Sequence, residues 1–248
     1  MTALDHRPYV DPILAVLPGA LIDALGLSAE HLTIIEPGQH LIEDGSVLDA
    51  VFLFVDGWAT STLEINTGDS QILEIFGPGS IAGLGRLGDI DMANYSITAL
   101  QKVYAYKMDV DALRLACSQN EELSRWLSNL LARQTQRTHR HLTALGQLPA
   151  RGRLAFVMLR ILAVAQKLGE PNNGQPIPLP MTQDFIGNML GLTNVSVSKM
   201  MTALRNEGLI DYSRNRFVIK DVAALSDICG MEPEDIPSLR STTGYGEP

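Results

Sequence analysis

The stretch Thr182–Glu207, TQDFIGNMLGLTNVSVSKMMTALRNE, restricts what this chain can fold into more than any other. It has the spacing of two short helices that cross closely at a steep angle, joined by a turn of three or four residues. Gly187 falls where the first helix must touch the second, and Gly191 falls at the turn, where φ > 0 is needed and a Cβ is penalised. Ile186, Leu190, Leu192, Val197 and Met200 fill the apolar interhelical positions. Thr182 and Thr193 stand where an N-cap is wanted for each helix. An ordinary helical hairpin rarely needs both glycines at these places, so the conjunction predicts a helix-turn-helix, a unit that reads double-stranded DNA.

A net charge of −9 looks wrong for such a unit, and its distribution resolves the conflict. Residues 1–122 hold 18 acids and 5 bases, whereas residues 123–220 hold 13 bases and 4 acids. Between Leu123 and Gly169 there are seven arginines, one lysine and no acid. An acidic half joined to a basic half reads as a sensor attached to a nucleic-acid module. No apolar run is long enough to span a bilayer, and the N-terminus lacks the basic start and apolar stretch of a signal peptide. Cys117 and Cys229 stand far apart with no CxxC spacing, which excludes an all-cysteine zinc or iron–sulfur site within one chain. These features predict a cytoplasmic protein without a membrane partner.

The pattern along the chain predicts an α+β architecture. Two short helices occupy the first 30 residues, interrupted by Pro18 and Gly19. From Leu32 to Met108 short alternating segments are punctuated by glycine turns about every ten residues, as in an antiparallel, jelly-roll-like β-roll. Asn66–Asp69 is a hairpin loop within it. One long helix is expected over Asp111–Leu145, with Leu123, Leu127, Leu130, Gln134, Thr138, His141 and Leu145 along a single stripe. That stripe reads as the seam of a homodimer. A further helix follows Pro149, and the Pro- and Gly-rich GEPNNGQPIPLP reads as a surface connection. After the helix-turn-helix, Leu209–Tyr212 and Phe217–Ile219 flank Ser213-Arg214-Asn215-Arg216, a β-hairpin wing with a basic tip. The expected boundaries are a sensor over 1–110, a dimerisation helix over 111–148, a winged helix-turn-helix over 149–230 and an acidic flexible tail over 231–248.

This order of elements resembles the Crp/Fnr superfamily of bacterial transcription regulators, over roughly residues 8–225. MTQDFIGNMLGLTNVSVSKMMTALRNEGLI and the wing carry the resemblance most strongly, and VDGWA, FGPGSIAGLG and ARGRLAFVMLRIL support it. It implies a cyclic-nucleotide-binding-like roll with a candidate effector pocket at Gly83, Leu84, Gly85, Arg86 and Asn94. The departures matter as well. Members that respond to cyclic AMP hold its phosphate with a glutamate in the glycine-rich turn and an Arg-Ser pair after it. Here those positions fall on Leu84, Ala93 and Asn94. A buried phosphate without an arginine lacks charge-assisted bonds worth ~1.5–3 kcal/mol each, so the resemblance predicts an effector other than cyclic AMP. Iron–sulfur members use an N-terminal cysteine set, and this chain has no cysteine before Cys117. No cofactor is expected.

In the resembling family three positions early in the second helix read bases, and they correspond to Asn194, Val195 and Lys199. Ser198 and Thr202 share that face. Asn194 suits adenine, Lys199 suits guanine and Val195 suits a thymine methyl. Phosphate contacts are expected from Thr182, Gln183 and Thr193 at the helix starts and from Arg214 and Arg216 in the wing. RNA polymerase is a candidate partner through the resemblance. A catalytic reading finds no GxSxG, P-loop or HExxH, and His31 and His40 lie in different segments, so neither an enzyme nor a metal site is expected. The rival reading is a ligand-sensing or interaction module whose DNA binding is weak or lost.

Overall fold

The computed structural model describes residues 17–28, 32–64, 70–88, 90–165, 176–177, 182–213 and 216–230. The chain clusters into two units, 1–64 with 73–137 and 65–72 with 138–248. The Asn66–Asp69 loop, the first expected N-terminal helix, His31 and the 231–248 tail lie outside the described residues.

The N-terminal part of the chain contains α1 (Gly19–Leu25) and the strands β1 (Thr33–Ile35), β2 (His40–Ile42), β3 (Ala50–Asp56), β4 (Ala59–Glu64), β5 (Ser70–Phe76), β6 (Ile81–Ala82), β7 (Ser96–Ala99) and β8 (Val103–Asp109). They form two four-stranded sheets, ordered β1-β8-β3-β6 and β2-β7-β4-β5. Every described pairing between them is antiparallel. The sequence AVFLFVD of β3 is apolar up to its last residue, and both of its faces are buried. Phe52 and Phe54 join a core with Ile42, Phe76 and Ile97, and the Phe54 and Phe76 rings stack at 5.6 Å. On the opposite face Val51, Leu53 and Val55 are also buried. Continuous apolar sequence is what a strand covered on both sides requires.

The expected single helix is two. α2 (Val110–Gln119) ends at Asn120, whose backbone is extended at φ −137° and ψ 113°. α3 (Glu121–Gln147) then restarts. Asn120 Oδ1 accepts from the amides of Glu122 (2.9 Å) and Leu123 (3.2 Å), satisfying donors that a new helix start leaves open. The sequence Asn-Glu-Glu, a cap followed by acids in the first turn, carries that signal, although the apolar period runs through it unbroken. The boundary between the units falls within α3.

The second unit contains α4 (Ala150–Ala165), β9 (Pro176–Ile177), α5 (Gln183–Leu190), α6 (Asn194–Asn206), β10 (Ile210–Ser213), β11 (Arg216–Ile219) and α7 (Val222–Cys229). α4 is buried along nearly all its length and packs against α7, where a Cβ at Gly152 would stand 3.3 Å from the Ile228 carbonyl oxygen. The proline-rich connection does more than span a surface. Pro176 and Ile177 pair with Val218 and Phe217, so the wing is a three-stranded sheet ordered β10-β11-β9. No helix among the described residues is long and apolar enough to cross a membrane.

Candidate nucleic-acid interface

α5 and α6 are placed by caps, a turn and one close approach. Thr182 Oγ1 accepts from the Phe185 amide at 3.1 Å, and Thr193 Oγ1 accepts from the Ser196 amide at 3.3 Å. Gly191 closes α5 at φ 63°, and the Leu192 amide donates to the Gly187 carbonyl at 2.9 Å. At Gly187 a Cβ would stand 2.7 Å from the Leu192 carbonyl oxygen, so only glycine lets the helices meet here. Phe185, Ile186, Met189 and Leu190 of α5 face Val197, Met201 and Leu204 of α6 as buried core. Met201 takes the place expected for Met200, which is half-buried.

The opposite face of α6 is open. Val195 is 64% exposed. Lys199 and Thr202 are exposed and Ser198 is half-buried, so these four lie on one side at three- and four-residue steps. Asn194 is exposed but turned back, its Nδ2 donating to Asp184 Oδ1 on α5. Thr182, Gln183 and Thr193 are exposed at the two helix starts. In the wing, Ser213 pairs with Arg216 across β10 and β11. Arg214 and the side chain of Arg216 lie outside the described residues.

Several contacts not visible in the spacing orient α6. The Arg205 guanidinium lies over the Tyr212 ring at 5.4 Å and its Nε is 3.2 Å from Asp211 Oδ1. Lys220 Nζ approaches the other oxygen of Asp211 at 3.8 Å. Arg151 at the start of α4 pairs with Glu207 at the end of α6. Exposed pairs of this kind contribute at most about 1 kcal/mol each, so their effect is orientation rather than stability. They also commit Arg205, Arg151 and Lys220 to protein partners.

The glycine-rich turn of the first unit is closely packed. Gly83 has φ 86°, and a Cβ there would stand 2.4 Å from the Ala50 carbonyl oxygen. Leu84 is buried, Arg86 pairs with Asp91, and the Arg114 guanidinium donates to the Arg86 carbonyl. Ala93 is buried and its backbone exchanges hydrogen bonds with Gly45 and Ser46, while Asn94 is exposed. A cavity of about 270 Å³ lies beside β2, lined in part by His40, Glu43, Ser46, Asp49, Ile42 and Phe52. None of Gly83, Leu84, Gly85, Arg86 or Asn94 lines it. Its carboxylates disfavour a phosphate.

The α3 stripe divides. Leu123 and His141 are buried within the single chain, Leu127, Leu130, Gln134 and Leu145 are half-buried, and Thr138 is exposed. Leu131 and Leu142, outside the expected seam, are 40% and 61% exposed. His141 therefore leaves the open face. Arg160 Nη1 on α4 lies 2.8 Å from His141 Nδ1, and because a guanidinium only donates, that nitrogen is an acceptor. The Phe156 ring flanks both, 6.1 Å from the imidazole.

Burial first, and the Arg160 charge second, push the His141 pKa from its ordinary 6.5 down to about 4. Between those values the unfolded chain binds a proton that the folded chain refuses, so stability must fall as pH drops through this window. His141→Gln, which keeps an acceptor for Arg160, is expected to flatten that fall in urea melts at pH 7, 6 and 5. An unchanged slope would show that other groups produce it. Cys117 is half-buried and burial raises its thiol pKa, the reverse of an activated thiolate.

The comparisons with known proteins agree with this geometry. Residues 32–120 match the cyclic nucleotide-binding domain and residues 152–228 match the Crp-like helix-turn-helix domain. The transcriptional regulatory protein btr of Bordetella pertussis is 27% identical, over 87% of this chain and 88% of its own. A CRP-like cAMP-activated global transcriptional regulator of Mycobacterium tuberculosis is 26% identical, over 76% and 84%. Among solved structures, FixK2 from Bradyrhizobium japonicum superposes with a TM-score of 0.70 at 20% identity, covering 79% of this chain and 96% of that one. A nucleotide-binding-type roll and a Crp-like helix-turn-helix, in this order in one chain, make the protein a member of the Crp/Fnr superfamily of DNA-binding transcription regulators.

Proposed function

We propose that the protein acts in the cytoplasm as a homodimer that reads a two-fold DNA site, with α6 in the major groove and the wing on the backbone. The observation that carries this is the open face Val195, Ser198, Lys199 and Thr202 on a helix whose other side is locked by caps and core. Thr182, Gln183 and Thr193, at exposed helix starts, supply donors for phosphates. Arg214 and Arg216 extend the backbone contact. Two copies place their reading helices about 34 Å apart, one turn of the duplex. It acts by binding and not by catalysis, with RNA polymerase as the partner that converts binding into regulation.

The dimer forms along α3. Leu127, Leu131, Gln134, Thr138, Leu142 and Leu145 follow one another at three- and four-residue steps, and Leu131 and Leu142 leave large apolar surface uncovered in the single chain. The effector is one other than cyclic AMP, because Leu84 and the buried Ala93 offer neither charge nor hydroxyl to a phosphate.

Lys199→Ala tests the reading face. It is expected to cost ~1–3 kcal/mol of specific affinity and to relax preference at one base pair. Wild-type binding should weaken steeply between 50 and 200 mM salt, since each neutralised phosphate releases counterions. Competition gel shifts on a selected site read both quantities. Lys199→Ala binding with unchanged affinity and unchanged preference would remove this residue from the interface.

A further inference from the structure

Asn194 opens α6 and is, by position, the first side chain to meet the bases. Its amide is nevertheless used within the protein. Nδ2 donates to Asp184 Oδ1, and Oδ1 lies 3.2 Å from the point where a Gly187 Cβ would stand, so both ends of the amide are turned onto α5. The absence of a side chain at Gly187 makes room for it. Asp184 is the second residue of α5, where a carboxylate is favoured by the helix dipole. It also fixes the amide's orientation, since a flipped Asn194 would set oxygen against carboxylate. Pairing with adenine requires the same amide to offer a donor and an acceptor together to N7 and N6. Asn194 cannot present that pair while one of its two Nδ2 hydrogens is held by Asp184 and its Oδ1 is turned toward Gly187.

We propose that Asp184 is a specificity-determining positioning residue: it holds Asn194 on α5, withdraws adenine reading from the first recognition position, and leaves the bases to Val195, Ser198 and Lys199. This rests on the DNA-reading function above and refines which side chains perform it. Asp184 itself touches no base. Removing its carboxylate frees the Asn194 amide, whereas Asp184→Asn keeps an acceptor at the same place and should keep Asn194 where it is.

The test is site selection from random duplexes with the full chain, followed by competition binding, for wild type, N194A, D184A, D184N and D184A/N194A. N194A is expected to keep the wild-type preference at every half-site position. D184A is expected to gain roughly tenfold preference for adenine at the base pair nearest the start of α6. That gain should vanish in D184A/N194A and be absent in D184N. If N194A loses preference at one base pair, Asn194 reads directly and the proposal fails. If D184A weakens all sequences alike without a new preference, Asp184 is merely structural and the proposal also fails. A wild-type chain that selects no sequence overturns the DNA-reading function itself, an outcome distinct from both.

Discussion

Gly187→Val is expected to reduce specific DNA affinity more than 100-fold and to lower the stability of the second unit by about 1–3 kcal/mol, the usual range for overpacking. The Cβ alone would stand 2.7 Å from the Leu192 carbonyl oxygen, and that oxygen belongs to the main chain of the turn and cannot swing away. The turn must open, which moves α6 relative to α5 and carries Val195, Ser198 and Lys199 off their common footprint. A displacement of this kind costs more in recognition than in folding, because base contacts require placement to within a fraction of an ångström. Valine also meets the Asn194 Oδ1, 3.2 Å from the same Cβ position. Gel shift on a selected site and a thermal melt together check the pair of effects. Wild-type affinity in Gly187→Val would show that the helices do not meet as described.

Leu131→Asp combined with Leu142→Asp is expected to convert a dimer to a monomer of 27.0 kDa by sedimentation and to abolish binding to a two-fold site at nanomolar protein. Leu131 and Leu142 are 40% and 61% exposed on α3. Covering leucines already partly buried contributes less than the ~1.5–3 kcal/mol of a fully exposed one, but a dimer covers four. Aspartates facing their own copies across the axis add repulsion. Leu123→Asp serves as the contrast. Leu123 is 1% exposed within its own chain, so its replacement should unfold the first unit, not dissociate a folded dimer. A double variant that stays dimeric would place the seam on another surface.

The difference between the expected and observed faces of α3 has a definite cause. The steps from Leu123 through Leu127, Leu130, Gln134, Thr138 and His141 to Leu145 total 22 residues over six turns, close to the 3.6 residues per turn of a straight helix, so the stripe does not drift; Leu123 and His141, 18 residues and five turns apart, stand on one edge of it. That edge is covered within the chain, so the open face shifts from His141 to the neighbouring Leu142. Spacing alone does not choose between them. Arg160 and Phe156, which cover His141, arrive from α4. The break at Asn120 was legible in a local capping signal but masked by continuous apolar period. β9 carries no signal of its own, since two residues beside prolines become a strand only when β11 is there to pair with them.

The candidate site shows the same division. Gly187, Gly191, Thr182 and Thr193 are local requirements of two short helices and a turn, so their identities alone specify a helix-turn-helix, and the acidic and basic halves specify what is joined to it. Those demands are met within a few residues of chain and need no knowledge of the remainder. What Asn194 does with its amide, which of Met200 and Met201 enters the core, and which cations remain for DNA depend on groups that arrive from elsewhere. Asp184 crosses the turn to reach Asn194, while Asp211 occupies Arg205 and Lys220. A side chain's hydrogen-bonding capacity is set by its type, but its partners are set by packing, and only the tertiary structure brings those partners within reach.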